Sequence, residues 1–279
     1  MAEFIHALVQ HAFLQNALMS GLLAGITCGV VGSFVVVKRI GFLAGGIAHT
    51  VLGGMGAALF FGFNPTGGAL VAAILAALLI GLATLHSRER EDTLIAALWA
   101  TGMAVGILFI TKTPGYNTEL MSYLFGNILM VSKQDLWLMA AMASVLILII
   151  MLFFKQFLAV TFDEEFAVIR GIPVTLFYLL LLCIVAVTVV LLIQVVGLIL
   201  VIALLTLPAA IAGQYTRTLM GMMLLATVLG IAFTAGGLSL SYAPDLPPGA
   251  TIILLAGVTY VISTLITRSL ARWKAKRMV

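Results

Sequence analysis

Three long stretches of this sequence contain no Lys, Arg, Asp or Glu: residues 40–87, 171–216 and 218–244. A helix that crosses a bilayer needs about 20 consecutive apolar residues, so each stretch is long enough for at least one crossing. Only 9% of the 279 residues are charged, against about 25% in soluble domains. Because the alternating pattern of a transmembrane barrel is absent, the sequence predicts an all-α, polytopic membrane protein.

Charges, prolines and glycines divide the chain into nine predicted spans, which form a single transmembrane domain over residues 1–279. Only Gln194 and Gly197 interrupt the apolar run between the sixth and seventh spans, so eight spans also fit the sequence. The nine predicted spans are about 14–37, 42–61, 67–86, 93–111, 136–154, 173–193, 195–213, 218–238 and 249–268. The polar segment at 111–135 is predicted to be an outside loop, and both a plain loop and a partly buried, re-entrant helix fit it.

The basic residues predict the orientation of the chain. With the N-terminus outside, twelve of the 14 Lys and Arg residues fall in cytoplasmic segments, and only Lys112 and Lys133 lie outside. Since cytoplasmic loops of membrane proteins carry an excess of Lys and Arg, we expect an N-out, C-in topology. The basic tail at 272–277 fits contact with anionic lipid of the bilayer, and such a short juxtamembrane cluster predicts no nucleic-acid partner.

The segment at 162–171 combines charged residues with an apolar run at 166–169. Acids at the start of a helix and a base near its end complement the helix dipole; here they are Asp163, Glu164, Glu165 and Arg170. Gly171 ends the segment before the next span. The pattern predicts a short surface helix with an apolar face. A helix that lies on the bilayer and a docking helix for a cytoplasmic partner both fit.

His49 is a titratable residue in an otherwise apolar, glycine-rich span. It follows Arg39 by ten residues, which places it about 15 Å into a bilayer core of about 30 Å. Gly45, Gly53 and Gly56 lie near its helical face and allow another helix or subunit to approach closely, or leave a cavity. A metal ligand and a buried histidine bonded to a neighbouring hydroxyl or carbonyl group are both consistent with this position.

Several enzyme classes are excluded by the absence of their motifs. The sequence has no G-x-x-x-x-G-K-[ST] and no H-E-x-x-H, which bind nucleotide and catalytic zinc in other proteins. No span centre carries an acid, so neither an intramembrane aspartyl protease nor an ion-coupled transporter is favoured. The two cysteines, Cys28 and Cys183, are predicted to be free buried thiols. These absences indicate a transport protein whose energy comes from another chain.

Seven segments, in order along nearly the whole chain, resemble the permease subunits of the metal-importing ABC transporters, the zinc, manganese and iron group called the ABC-3 family. No single segment is specific for this family, but the order and spacing of all seven together are specific for it. The segments are GLLAGITCGVVGSFVVVKR (21–39), GGIAHTVLGG (45–54), REDTLIAALWATGMAVGILF (90–109), LMSYLFGNILMVSKQDL (120–136), FDEEFAVIRGIP (162–173), VVGLILVIALLTLPAAIA (195–212) and SLSYAPDLPPGATIILLAG (239–257).

The resemblance implies an ABC importer permease fold in a bacterial or archaeal cytoplasmic membrane. It implies a second permease copy, expected to form a homodimer with the pathway at the interface, and an extracytoplasmic metal-binding protein. Cytoplasmic ATPase subunits would dock on the coupling helix at about 162–171 and hydrolyse the ATP, so this chain is not itself an enzyme. The residues that the resemblance assigns to this docking are Phe162, Asp163, Glu164, Glu165, Ala167, Arg170 and Gly171.

The resemblance also concerns the metal. Family members often carry an acid four residues before the histidine, where this sequence has Gly45. Because manganese prefers oxygen ligands, a site without a carboxylate makes zinc the first expectation for the transported ion, with manganese or iron next. No cofactor is expected to bind the chain. His49 is the expected transit site. Asp245, at the outer mouth, is either a cation-attracting residue or a turn residue beside prolines. A secondary transporter of a small solute is the alternative function.

Overall fold

The structure, a computed structural model, describes residues 2–86, 91–113, 126 and 128–277. The described residues form α-helices and one short 3-10 turn, and they contain no strand. The helices are α1 (Ala2–Gln10), α2 (Ala12–Val37), α3 (Gly41–Phe60), α4 (Pro65–His86), α5 (Glu91–Lys112), α6 (Lys133–Leu152), α7 (Phe154–Phe162), α8 (Glu164–Ile169), α9 (Val174–Val196), α10 (Leu198–Tyr215), α11 (Leu219–Tyr242) and α12 (Pro248–Arg277), and the 3-10 turn is Ile128–Met130.

Nine of the described helices are long and apolar enough to cross a membrane: α2 to α6 and α9 to α12. This confirms the nine-span prediction, and the eight-span alternative is wrong. The residue that separates the sixth and seventh spans is Gly197, whose φ of 78° ends α9. Glycine adopts this left-handed conformation without the steric cost that a side chain would bring. Gln194, the other candidate break, lies inside α9.

The sixth helix, α6, begins three residues before the predicted start of its span at 136. Ser132 caps this helix, because its hydroxyl oxygen accepts a hydrogen bond from the Asp135 backbone N–H at 3.1 Å. The Asp135 carboxylate in turn accepts from the Ser132 backbone N–H at 3.1 Å, which completes a capping box. Most of the segment in which a re-entrant helix was predicted, 114–125 and 127, lies outside the described residues.

The spans divide into inner and outer helices. Helices α2, α3 and α9 contribute most of the fully buried side chains, among them Phe34, Ile47 and Leu182. Helices α5, α6 and α12 instead expose large apolar side chains such as Leu108, Leu148 and Leu254. Exposed apolar surface on the charge-free middle part of a helix is suited to lipid, so these three helices form the periphery of the chain.

Contacts between helix ends define two sides of the molecule. On one side, Lys38 at the end of α2 reaches Glu164 of α8, and both line a cavity with Thr84 of α4. This side carries most of the basic residues and is called the basic side below. On the opposite side, the ring of Phe4 in α1 packs edge-to-face on Tyr242 of α11, with centroids 5.8 Å apart. That the basic side faces the cytoplasm stays a prediction.

Candidate functional site

His49 lies in the middle of α3. It is the ninth residue of a 20-residue helix, so it stands about 12 Å from the helix start in a bilayer core of about 30 Å. Its side chain is partly exposed, yet its Nδ1 atom is buried and has no hydrogen-bond partner among the described residues. A buried polar atom without a partner is costly in a folded protein, and such an atom is a candidate ligand.

The imidazole of His49 stacks on the indole of Trp99 in α5. The ring centroids are 4.1 Å apart and the ring planes differ by only 12°. The hydroxyl of the next residue, Thr50, lies 2.8 Å from the Gly46 carbonyl oxygen of α3 and 3.1 Å from the Leu98 carbonyl oxygen of α5, so its one proton is shared between the two helices beside the stack. Trp99 is not among the residues predicted from the sequence, where its one signal is that of an aromatic residue in the interior of a predicted span.

Glycines bring α3 and α5 into close contact around this stack. A methyl group at position 53 would lie 2.9 Å from the carbonyl oxygen of Gly102, and one at position 56 would lie 2.6 Å from that of Gly106. At these distances the two backbones touch directly, which requires glycine. The helix that approaches the face of His49 therefore belongs to the same chain, and α5 covers that face.

Gly45, one turn before His49, faces aromatic and aliphatic groups. A methyl group there would lie 3.7 Å from Cζ3 of Trp99 and 4.0 Å from Cδ1 of Ile202, which are ordinary contact distances. No carboxylate is placed next to the imidazole by these neighbours. In the part of the chain that the structure describes, no group of three or more His, Cys, Asp or Glu residues could hold a metal ion.

Asp245 lies in the turn between α11 and α12, on the side opposite the basic side. It is exposed, and its φ of 52° is in the left-handed region that Asp and Asn tolerate better than most residues. The next residue, Leu246, donates its backbone N–H to the Ser241 carbonyl oxygen at 3.0 Å and closes the turn. This conformation accounts for an Asp at position 245 by itself; a role in attracting cations stays a prediction.

The predicted coupling helix at about 162–171 is not one continuous helix. It comprises the end of α7, a capping residue and α8. Phe162 is the last residue of α7, and α8 contains only Glu164–Ile169. Asp163 separates them, because its extended backbone (φ −151°, ψ 98°) interrupts the helix and its Oδ1 accepts the Phe166 N–H at 2.9 Å. Arg170 caps the other end of α8, and Gly171 follows with a φ of 72°.

Four exposed apolar side chains surround α8: Phe162, Phe166, Val168 and Ile169, with exposed fractions of 63%, 47%, 63% and 83%. They are called the apolar patch below. Ala167 faces inward and is fully buried. The guanidinium of Arg170 lies 5.2 Å from the centroid of the Phe166 ring, within cation–π range. A contiguous apolar patch on a short surface helix marks a contact with a partner or a membrane.

The sequence matches the ABC 3 transport family over residues 10–267. The chain belongs to this family. It is a transport subunit and not an enzyme, and it is a multi-pass protein of the cell membrane. Family membership also decides against the secondary transporter that the sequence left as an alternative.

Relatives cover nearly the whole chain. An uncharacterised membrane protein of Synechocystis is 47% identical over 263 residues, 94% of both proteins. The manganese transport system membrane protein MntC of Halalkalibacterium halodurans is 35% identical over 260 residues, 93% of this chain and 89% of the relative. Among solved structures, PsaBC from Streptococcus pneumoniae in complex with Fab is similar, with a TM-score of 0.86 and 34% identity over 94% of both chains.

Proposed function

We propose that this ABC 3 permease imports manganese ions, driven by ATP. The observation that carries the choice of metal is the similarity to the manganese transport protein of H. halodurans, which extends over 93% of this chain. Zinc was the first expectation from the missing acid at Gly45, but the names of the relatives do not support it. Manganese therefore takes its place as the proposed cargo.

The proposed partners are a second permease copy, cytoplasmic ATPase subunits and an extracytoplasmic metal-binding protein. The surroundings of His49 fit a second copy: the described residues contain no group of three or more His, Cys, Asp or Glu that could hold a metal ion, and a divalent ion needs several ligands. A two-fold related chain would bring a second His49 to the same pathway. The apolar patch is proposed as the surface on which an ATPase docks, which requires the basic side to face the cytoplasm.

In the proposed mechanism, the metal ion leaves the binding protein, enters a cavity between the two permeases and passes His49. The imidazole of His49 would bind the ion briefly, with water or backbone carbonyl oxygens as the remaining ligands. Such a site is weak for manganese, since this ion prefers oxygen ligands. Weak binding suits a transit position, because an ion that binds tightly in a pathway does not leave it.

The test is uptake of radioactive manganese by proteoliposomes that contain the chain and its ATPase subunits, with and without ATP. We expect ATP-dependent uptake that falls about tenfold in His49→Ala, since even residues that only orient a metal ligand are worth about 10–100-fold in affinity or activity. The matched control is His6→Ala, because His6 is exposed in α1 and outside the nine spans.

Each result bears on a different part of the proposal. Uptake without ATP would contradict the ATP-driven importer. Full uptake by His49→Ala would remove the histidine from the mechanism and leave the family unchanged. The choice of metal would be overturned if the same vesicles took up zinc faster than manganese.

A further inference from the structure

A polar contact joins the basic end of α2 to the elbow formed by α7, Asp163 and α8. The Nζ atom of Lys38 donates a hydrogen bond to the Val160 carbonyl oxygen at 2.9 Å. It also donates to the Glu164 carboxylate at 2.5 Å, across 126 residues of sequence. This is the ion pair that the structure shows within the described residues. It connects a membrane-spanning helix to the helix of the apolar patch.

An apolar contact supports the polar one. One turn before Lys38, the ring of Phe34 packs edge-to-face on Phe157 of α7, with centroids 5.9 Å apart. Phe157 in turn packs on Phe177 of α9 at 5.5 Å. Phe34 and Phe157 are fully buried. The base of the elbow is therefore anchored in the protein core, and Lys38 is the contact that extends this attachment to α8.

The environment of Lys38 holds its ammonium group in one place. Ion pairs at a fully exposed surface contribute little to stability, but the Lys38 side chain is only 15% exposed and that of Glu164 is 37% exposed. The ammonium group also lies 5.6 Å from the ring centroid of Tyr178 in α9. With several partners around a half-buried charge, loss of the Glu164 contact would leave part of that charge uncompensated.

After Lys38, the chain continues directly into α3, the helix that carries the candidate metal site. Lys38 caps the C-terminus of α2, Arg39 turns the chain with a φ of 62°, and α3 begins at Gly41. His49 follows eight residues later in the same helix. Displacement of Lys38 therefore acts on the turn from which α3 starts.

We propose that Lys38 is the positioning residue through which movement of α8 reaches α3 during transport. The inference rests on the proposed function, in which an ATPase docks on the apolar patch. When the ATPase moves α8, the ammonium group of Lys38 moves with Glu164 and Val160, and the α2–α3 turn follows. Without this contact, the ATPase docks and hydrolyses ATP, but little of that movement reaches the helix that carries His49.

The test uses the complete transporter in proteoliposomes and measures three quantities: affinity for the ATPase, ATP hydrolysis, and manganese ions moved per ATP hydrolysed. In Lys38→Met we expect unchanged ATPase affinity and about a fivefold lower ratio of ions to ATP, the scale of the net contribution of one typical hydrogen bond. Lys38→Arg should restore part of the ratio. Glu164→Gln should lower it less, because the amide oxygen still accepts a hydrogen bond.

The matched control is Lys155→Met, since Lys155 is an exposed lysine in α7 of the same elbow; its ratio should equal that of the wild type. The double variant Lys38→Met/Glu164→Gln should be no worse than Lys38→Met alone if the two residues act as a pair. A purely structural role for Lys38 would lower thermal stability and leave the ratio of ions to ATP in the folded fraction unchanged.

A wild-type ratio in Lys38→Met overturns the inference. Reduced ATPase affinity in Lys38→Met also overturns it, because Lys38 would then serve docking. Where Lys38→Met does not fold, Glu164→Gln decides: a lowered ratio supports the inference and a wild-type ratio overturns it. The proposed docking site fails separately, if Ile169→Asp leaves ATPase affinity unchanged.

Discussion

The α3–α5 pair and the α7–α8 elbow are built in opposite ways. Between α3 and α5 the contact includes glycine backbones, the stack of His49 on Trp99 and further aromatic pairs, and no ion pair joins the two helices in the part of the chain that the structure describes. At the elbow, a half-buried ion pair lies beside the apolar patch, whose four exposed side chains come from both α7 and α8. In the proposed function, the first region places an imidazole at membrane depth, where charged side chains are costly. The second suits transmission of force from a partner that binds and moves.

The largest effect is expected from a substitution that disrupts the close packing between α3 and α5. In Gly53→Leu, the side chain has no room, since even a methyl group would lie 2.9 Å from the Gly102 carbonyl oxygen. We expect a loss of about 1–3 kcal/mol or more in stability, the range for overpacked cores, seen as a lower midpoint of thermal unfolding in detergent.

The control is Gly257→Leu, because a methyl group at position 257 of α12 meets no atom within 4 Å. Its unfolding midpoint should stay close to that of the wild type. Equal midpoints for the two variants would show that α3 and α5 do not depend on the glycine contact.

Charge placed on the apolar patch should affect the elbow and leave the α3–α5 pair intact. In Ile169→Asp, a carboxylate replaces a side chain that is 83% exposed, and we expect the affinity for the ATPase to fall about tenfold, as for a central residue of an interface. The measurement is titration of purified ATPase onto the permease in nanodiscs.

Leu246→Asp provides the control for the patch, since Leu246 is 51% exposed in the turn on the opposite side. An Ile169→Asp variant with wild-type ATPase affinity would favour the other interpretation of α8, a helix that lies on the bilayer.

Removal of the indole tests whether the His49–Trp99 stack contributes to transport. In Trp99→Ala we expect manganese uptake to fall about threefold, because an aromatic pair contributes about 0.5–1.5 kcal/mol to the placement of its rings. Trp99→Phe should retain most of the uptake. Trp137→Ala is the control, as Trp137 is 77% exposed on α6. Faster uptake in Trp99→Ala would mean that the indole obstructs the pathway.

The smallest expected effect separates the two interpretations of Asp245. Asp245→Asn removes the charge and keeps a residue that tolerates the φ of 52°. We expect manganese uptake and the unfolding midpoint to stay at wild-type values. A clear drop in uptake at low manganese concentration, with an unchanged midpoint, would instead support an outer-mouth cation site.

Much of the fold could be predicted from the sequence, because span length and charge distribution are local properties. Each of the nine predicted spans overlaps a helix of the structure, and Gly197 was one of the two candidates for the break between the sixth and seventh. The short helix with an apolar face was also predicted within 162–171. Its division at Asp163 was not, since a carboxylate that caps a helix and one that lies inside its first turn look alike in a sequence.

The partners of the site residues could not be predicted in the same way. Trp99 stands 50 residues after His49, and Glu164 stands 126 residues after Lys38. Neither spacing carries a signal, because contacts between helices depend on which faces pack together and at what height. The missing acid at Gly45 was visible in the sequence, but the indole beside that position was not.

The sequence alone shows that this chain crosses a membrane eight or nine times, that its spans carry almost no charge, and that it resembles the ABC-3 permeases. Apolar length and charge decide membrane insertion separately for each segment, so these properties follow from the local sequence. Only the tertiary structure decided that α5 covers His49 and that Lys38 joins α2 to the elbow. Those contacts arise from close packing between segments that are distant in the sequence, so they depend on how the helices are arranged in space.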